Sequence, residues 1–383
     1  MHRPQARLAF EDIDWSGLND RLIDPLADVH PYPARFIEVI PDALLARFAR
    51  PGARVLDPFC GSGTTLVRAA RAGHRAVGVD LHPIACLMTR VKTRCYRPRQ
   101  LDAIERVGML PIAHTRFIPE HLKNIPRVDH WFSKEVQAAL TAITSSIFQH
   151  SNEWERDVLL CALSRIIVRV SRQESDTRYA AIENNYSYDT VMTSYHRSVS
   201  EVCRALRSAP FSDPIDVRVI NADIFDVSPD AVEGPFDLVI TSPPYPNAYE
   251  YWLYHKYRMY WLGFDPIAVR SREIGARPHY FKKDPQTAAD FEIQMSALFG
   301  LLAKVTTHTA PLCFVISDSI IHGKPIDNRA LMTRSARAHG YRLCEATVRH
   351  IPSGRKAFNP TVSPRDEEHV LVFERAQQES SLQ

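Results

Sequence analysis

The segment Thr241-Ser242-Pro243-Pro244-Tyr245 carries the chain's most specific chemistry. The Ser242 hydroxyl and the Pro243 carbonyl can each accept from an N–H bond of a flat amine. The two prolines fix φ, and Tyr245 offers a ring face for stacking. An aromatic amine is a poor nucleophile because its lone pair is delocalised into the ring, and two acceptors aimed at its N–H bonds favour the pyramidal nitrogen that attacks. By comparison with oxyanion-hole deletions, each preorganised acceptor is worth about 2–4 kcal/mol of barrier. Proton loss then follows attack, so no cysteine nucleophile is needed and Cys60 receives no catalytic role.

A second segment far upstream complements the first: Val55-Leu56-Asp57-Pro58-Phe59-Cys60-Gly61-Ser62-Gly63-Thr64-Thr65. It reads as a strand that turns through Gly61 and Gly63 into a helix, and glycine lets backbone N–H groups approach a ligand closely. A dinucleotide fingerprint would place a third glycine where Leu66 stands. A pyrophosphate also disfavours a carboxylate at Asp57, whereas a sulfonium cofactor bearing an ammonium group favours one. The next strand ends in Asp80, spaced for a carboxylate that takes both hydroxyls of a ribose. The third ends in Asp223, placed to accept from an adenine amino group. A strand-terminal aspartate often only caps the next helix, but three at successive strand ends beside a glycine turn point to a cofactor.

Together, Asp57 to Thr65 and Ser242 to Tyr245 resemble the amino-methylating, S-adenosylmethionine-dependent DNA methyltransferases that act on adenine N6 or cytosine N4. The resemblance implies S-adenosylmethionine as cofactor, with Asp57, Pro58, Phe59, Gly61, Gly63, Thr64, Asp80 and Asp223 around it. It also implies that the segment from His30 to Phe36, with Pro31 and Arg35, lies over the methionine moiety. Ser242, Pro243, Pro244 and Tyr245 become the catalytic clamp. Serine at position 242 is more typical of cytosine-N4 enzymes, so cytosine N4 is favoured, with adenine N6 and an RNA base amine as alternatives. No metal is implied.

These residues need a scaffold to bring them together. Short β-branched runs predict seven strands at 53–57, 75–80, 217–223, 236–242, 312–318, 343–349 and 369–374. Helical spacing fills most gaps, so the expected fold is α/β and Rossmann-like: a mostly parallel seven-stranded sheet with helices on both faces. The last two strands have no helix between them and predict an antiparallel edge hairpin. From 101 to 214 apolar residues recur at three and four, as in Val158, Leu159, Ala162, Leu163, Ile166 and Ile167, which predicts a helical insertion. The methyltransferase domain is therefore expected at 1–100 and 215–376, with a disordered tail at 377–383. Of the aromatics in 249–261, most are expected in the core and one or two at the base pocket.

Composition narrows the partners. The 383 residues are 45% hydrophobic with a net charge of +3, so bulk charge alone does not argue for nucleic acid. Three local groups are candidate phosphate contacts: Arg90, Lys92 and Arg94; Arg172 and Arg178; and Arg355 with Lys356. The resemblance implies DNA as substrate, with RNA possible, and a base in a duplex would have to be flipped out to reach such a clamp. The resemblance leaves room for a restriction-modification or other defence partner, which the sequence itself does not specify. Seven cysteines without metal-ligand spacing suit a reduced, cytoplasmic setting, and no signal peptide or membrane span is expected. A nucleotide-dependent oxidoreductase is the rival from another class, disfavoured by Leu66.

Overall fold

The computed structural model describes residues 10, 13–15, 24–33, 36–110, 117–175, 180–211, 216–246, 250–351 and 367–376. Among them, β1 (Arg54–Asp57), β2 (Arg75–Asp80), β3 (Val217–Asn221), β4 (Leu238–Thr241) and β5 (Leu312–Ile316) are parallel neighbours. Two further strands form a separate small hairpin, β6 (Ser319–Ile321) and β7 (Lys324–Ile326). The long β8 (Tyr341–His350) and β9 (Glu367–Arg375) are antiparallel. The main sheet runs β3-β2-β1-β4-β5-β9-β8, a Rossmann-like order whose direction of winding reverses at β1. Such a reversal opens a crevice beyond the carboxyl ends of β1 and β4, where ligands bind in open α/β sheets.

The sheet core follows from strand composition. All five residues of β5 and all four of β4 are buried, as expected for parallel strands covered on both faces. Phe236, Phe299, Phe314 and Phe373 pack on one face, while Ile40, Leu44, Leu66 and Ile240 pack on the other. Burying each such side chain contributes about 1.5–3 kcal/mol.

The edge hairpin forms as expected, with β9 inserted antiparallel between β5 and β8. The β6–β7 hairpin was not anticipated. His322 and Gly323 turn it at φ 49° and 75°, but its strands are three residues long and one contains Pro325, so the alternating pattern is too short to see. Strand β3 ends at Asn221, and Asp223 then caps a short turn by accepting from Phe225 N at 3.1 Å.

Between β2 and β3 the chain is helical: Pro98–Gly108, Lys134–His150, Glu153–Val170 and Tyr188–Ser208. Their apolar stripes pack with the helix Pro83–Thr93 and with Tyr257, Met259 and Trp261 of the helix Lys256–Leu262. Gly108 permits the closest approach, since a Cβ there would stand 2.9 Å from both Leu159 and Val199. The expected tail at 377–383 lies outside the described residues. Among those described, no helix is long and apolar enough to cross a membrane.

Candidate active site

A cavity of about 390 Å³ opens at the sheet's switch point, and both sequence segments line it. The joint between them is a buried hydrogen bond: Thr241 Oγ1 donates to Asp57 Oδ1 at 2.7 Å. Each residue ends its strand, so the bond ties the start of the glycine turn to the start of the Ser-Pro-Pro-Tyr corner. The same Asp57 oxygen accepts from Phe59 N at 3.1 Å, which sets the turn's first bend. Burial pushes the Asp57 carboxyl up to about 6, against the hydrogen bonds from Thr241 and Phe59 that pull it down.

The two glycines do different work. Gly61 has φ 49°, and a Cβ there would point toward Tyr32, 3.8 Å away across the cavity. Gly61 N donates to Asp80 Oδ2 at 2.8 Å, while His82 N donates to Asp80 Oδ1 at 2.7 Å. Asp80 thus organises the turn as well as facing the cavity, and each oxygen keeps a further acceptor position. Burial holds its carboxyl at about 6, against those two N–H donors. Gly63, at φ 82°, is not on the cavity wall. A Cβ there would strike Thr89 at 2.6 Å, so Gly63 serves the packing of one helix on another.

At the clamp, Tyr245 Oη donates to the Val315 carbonyl at 3.3 Å and lies 3.2 Å from Ser242 Oγ. Tyr245 is 9% exposed, whereas Ser242 and Pro244 are half-buried at the cavity. Pro58, Phe59, Thr64 and Pro243 also line it.

Asp223 reaches the wall too, but its Oδ2 accepts from Arg272 Nε at 3.0 Å. A competing ion pair therefore occupies the oxygen expected to face an adenine amine. Pro31 is exposed and outside the wall; Tyr32, Phe36 and Ile37 line it instead. The reversal arises because His30 is buried, its ring fixed by Pro31 O at 2.6 Å and Ser164 Oγ at 2.8 Å. Arg35 lies outside the described residues.

The candidate phosphate contacts require correction. Arg90 forms a two-pronged pair with Asp157 of the insertion, at 3.0 and 3.2 Å. Lys92 is 4% exposed and donates to Ser62 O at 3.0 Å. Both face inward because the helix Pro83–Thr93 is sandwiched between the sheet and the insertion. Arg172 lies against the carbonyls of Asp129 and His130, which shape a local loop. Arg94, with Arg97 and Arg99, is exposed. Arg178, Arg355 and Lys356 lie outside the described residues, as does Tyr249.

The wall holds one aromatic from the segment in which one or two were expected, together with residues that no motif names. Tyr251 stacks on Tyr32, with ring centres 5.5 Å apart, and is the one aromatic of the 250–261 segment on the wall. Trp252, Tyr257 and Trp261 are core. Glu273 is 7% exposed and accepts from Tyr251 N at 2.8 Å and Trp252 N at 2.9 Å. Burial drives its carboxyl up to about 8. Arg349 and Glu368, paired across β8 and β9, close the far wall. No local spacing marks these residues, because each is brought in from a distant element.

Comparison with known proteins points the same way. The sequence pattern of the DNA methylase family matches residues 12–90, which contain the glycine turn and Asp80. The Type II methyltransferase M.MvaI of Kocuria varians is 24% identical over 238 residues, covering 56% of this chain and 52% of that protein. The chain is similar to the amino-methylating DNA methyltransferases. The Type II methyltransferase M.MjaII of Methanocaldococcus jannaschii is 33% identical over 105 residues, 26% of this chain and 20% of its own. The chain therefore spans about half or less of the length of these relatives. Among solved structures, TrmN from Thermus thermophilus aligns over 91% of this chain and 52% of its own, at 12% identity and a TM-score of 0.37. Amino-methylating DNA methyltransferases use S-adenosylmethionine, and the cavity suits it: an open glycine bend, buried carboxylates for hydroxyl and ammonium groups, and an adjoining clamp.

Proposed function

We propose that this protein methylates an exocyclic amine of a base in DNA, with cytosine N4 as the favoured target. The observation that most supports this reading is the Thr241–Asp57 bond, which ties the glycine turn to the Ser-Pro-Pro-Tyr corner. On this reading Asp80 takes the ribose hydroxyls, and Asp57 with the Gly61 bend faces the methionine moiety. Asp223 takes the adenine amine once Arg272 yields the oxygen it holds. When bound, the cofactor supplies an electrophilic methyl group.

The protein's own residues do the rest. The proton of Tyr245 is directed at Val315 O, so Ser242 turns its own proton toward Tyr245 Oη. Its lone pairs then remain for the amine, beside the Pro243 carbonyl. The clamp holds the amine in line with the donor, and a neutral product forms when the nitrogen sheds a proton. Within this reading, 1–100 and 215–376 form the catalytic unit and 101–214 its insertion, and a Type II restriction partner in the cytoplasm is the natural context.

The test is nucleoside analysis of duplex DNA after incubation with the protein and labelled S-adenosylmethionine. N4-methylcytosine is the expected product. N6-methyladenine alone would overturn the cytosine choice, and label in RNA but not DNA would overturn the DNA substrate.

A further inference from the structure

Glu273 is a wall residue that none of the expected motifs contains. It sits in the segment 272–275, of which Arg272, Glu273 and Ile274 line the cavity. Arg272 holds Asp223 and Asp226 on one side. Gly275, at φ 75°, rests on the clamp, where a Cβ would stand 2.9 Å from the Tyr245 carbonyl carbon and nearer still to its oxygen. Between them, both Glu273 oxygens are fixed by backbone N–H groups, Tyr251 N to Oε1 and Trp252 N to Oε2. The carboxyl is therefore rigid, buried and on the cavity wall, and each oxygen keeps acceptor capacity.

The charged groups around it are mostly acidic. Asp80 and Glu250 act on Glu273 electrostatically, and Asp57 lies on the same wall. Arg272 is turned away to Asp223 and Asp226, Arg349 is paired with Glu368, and burial keeps His82 neutral, its ring pushed down to about 3. A pocket lined by buried carboxylates discriminates by charge, because Coulomb interactions strengthen as burial lowers the effective dielectric. The methyl donor carries a sulfonium that its demethylated product lacks, while their shapes are nearly the same.

We propose that Glu273 is a cofactor-contacting residue that makes the pocket prefer the cationic methyl donor over its neutral product. This rests on the S-adenosylmethionine reading of the cavity. Burial lifts the Glu273 carboxyl to about 8, so it holds its proton near neutral pH, and a cationic ligand displaces that proton. The same charge preference lets the spent cofactor leave.

Calorimetric titration of the full chain with S-adenosylmethionine and with S-adenosylhomocysteine tests this, in wild type and in Glu273→Gln. The variant should lose at least tenfold of the donor-over-product preference, about 1.4 kcal/mol, with thermal unfolding checked to show that it is folded. An unchanged preference in a folded variant overturns the proposal. In wild type, repeating the titration in buffers of different ionisation enthalpy should show more protons released by the donor than by the product, with donor affinity rising from pH 6 to 8. Equal proton release by both ligands overturns it even if the variant does not fold. Wild-type protein that binds neither ligand overturns the S-adenosylmethionine reading itself.

Discussion

The behaviour of the site turns first on single side chains whose charge or ring is held out of water. Tyr245 offers a test that separates ring from hydroxyl. Tyr245→Phe keeps the stacking face and loses a hydrogen bond worth about 1 kcal/mol, so turnover should fall less than tenfold. Tyr245→Ala should lower turnover at least a hundredfold while cofactor affinity stays within threefold; steady-state kinetics and calorimetry read the two effects separately. Asp57 makes a different prediction, because burial raises its folded-state carboxyl to about 6 from the ordinary 3.8. The native state then binds more protons than the unfolded chain between those values, so stability falls as pH rises through that window. The loss by pH 7 is about 3 kcal/mol. Asp57→Asn should therefore make the ligand-free protein more stable at pH 7.5, with the gain fading toward pH 4. Urea unfolding at both pH values checks the sign.

At the scale of elements, short segments hold the site in register, and their legibility in the sequence was uneven. The motif residues could be read because each cluster is contiguous and sits at a strand end, where the fold class alone places ligands. Glu273 and Arg349 could not, since their place on the wall depends on packing between elements far apart in the chain. The cation run was misread for a related reason: on a helix, Arg90 and Lys92 point to different sides, and here both sides are covered. Arg90→Met should lower stability by about 1–3 kcal/mol through its half-buried pair with Asp157, leaving the salt dependence of DNA binding unchanged. Arg94→Met should leave stability alone and reduce the salt slope by about one if Arg94 touches a phosphate, as measured by binding titrations at several salt concentrations. Gly275→Ala forces a Cβ onto the Tyr245 carbonyl. Turnover should fall at least tenfold with cofactor affinity within threefold, which steady-state kinetics and calorimetry would establish.

Across the whole molecule, the insertion is part of the scaffold. Its helix Glu153–Val170 supplies Ser164, whose hydroxyl fixes the His30 ring and whose carbonyl accepts from the buried Arg258 at 3.0 Å. His30 stands two residues before Tyr32, and Arg258 also contacts His255, on which the Tyr32 ring stacks with centres 5.4 Å apart. The insertion therefore shapes the cavity from the rear, a role that helical periodicity announces as an apolar stripe but cannot aim. Sheet order, by contrast, follows closely from alternating strands and helices, because crossover handedness leaves few alternatives. The central claim is that the glycine bend and the serine-proline corner serve one reaction. A crystal structure with S-adenosylhomocysteine and a duplex carrying a flipped base measures it directly. The account predicts the ligand's sulfur over the Gly61 bend, with room for one methyl group between it and a base amine held by Ser242 Oγ and the Pro243 carbonyl. A cofactor bound at the other edge of the sheet, or a base amine facing away from that sulfur, would contradict it.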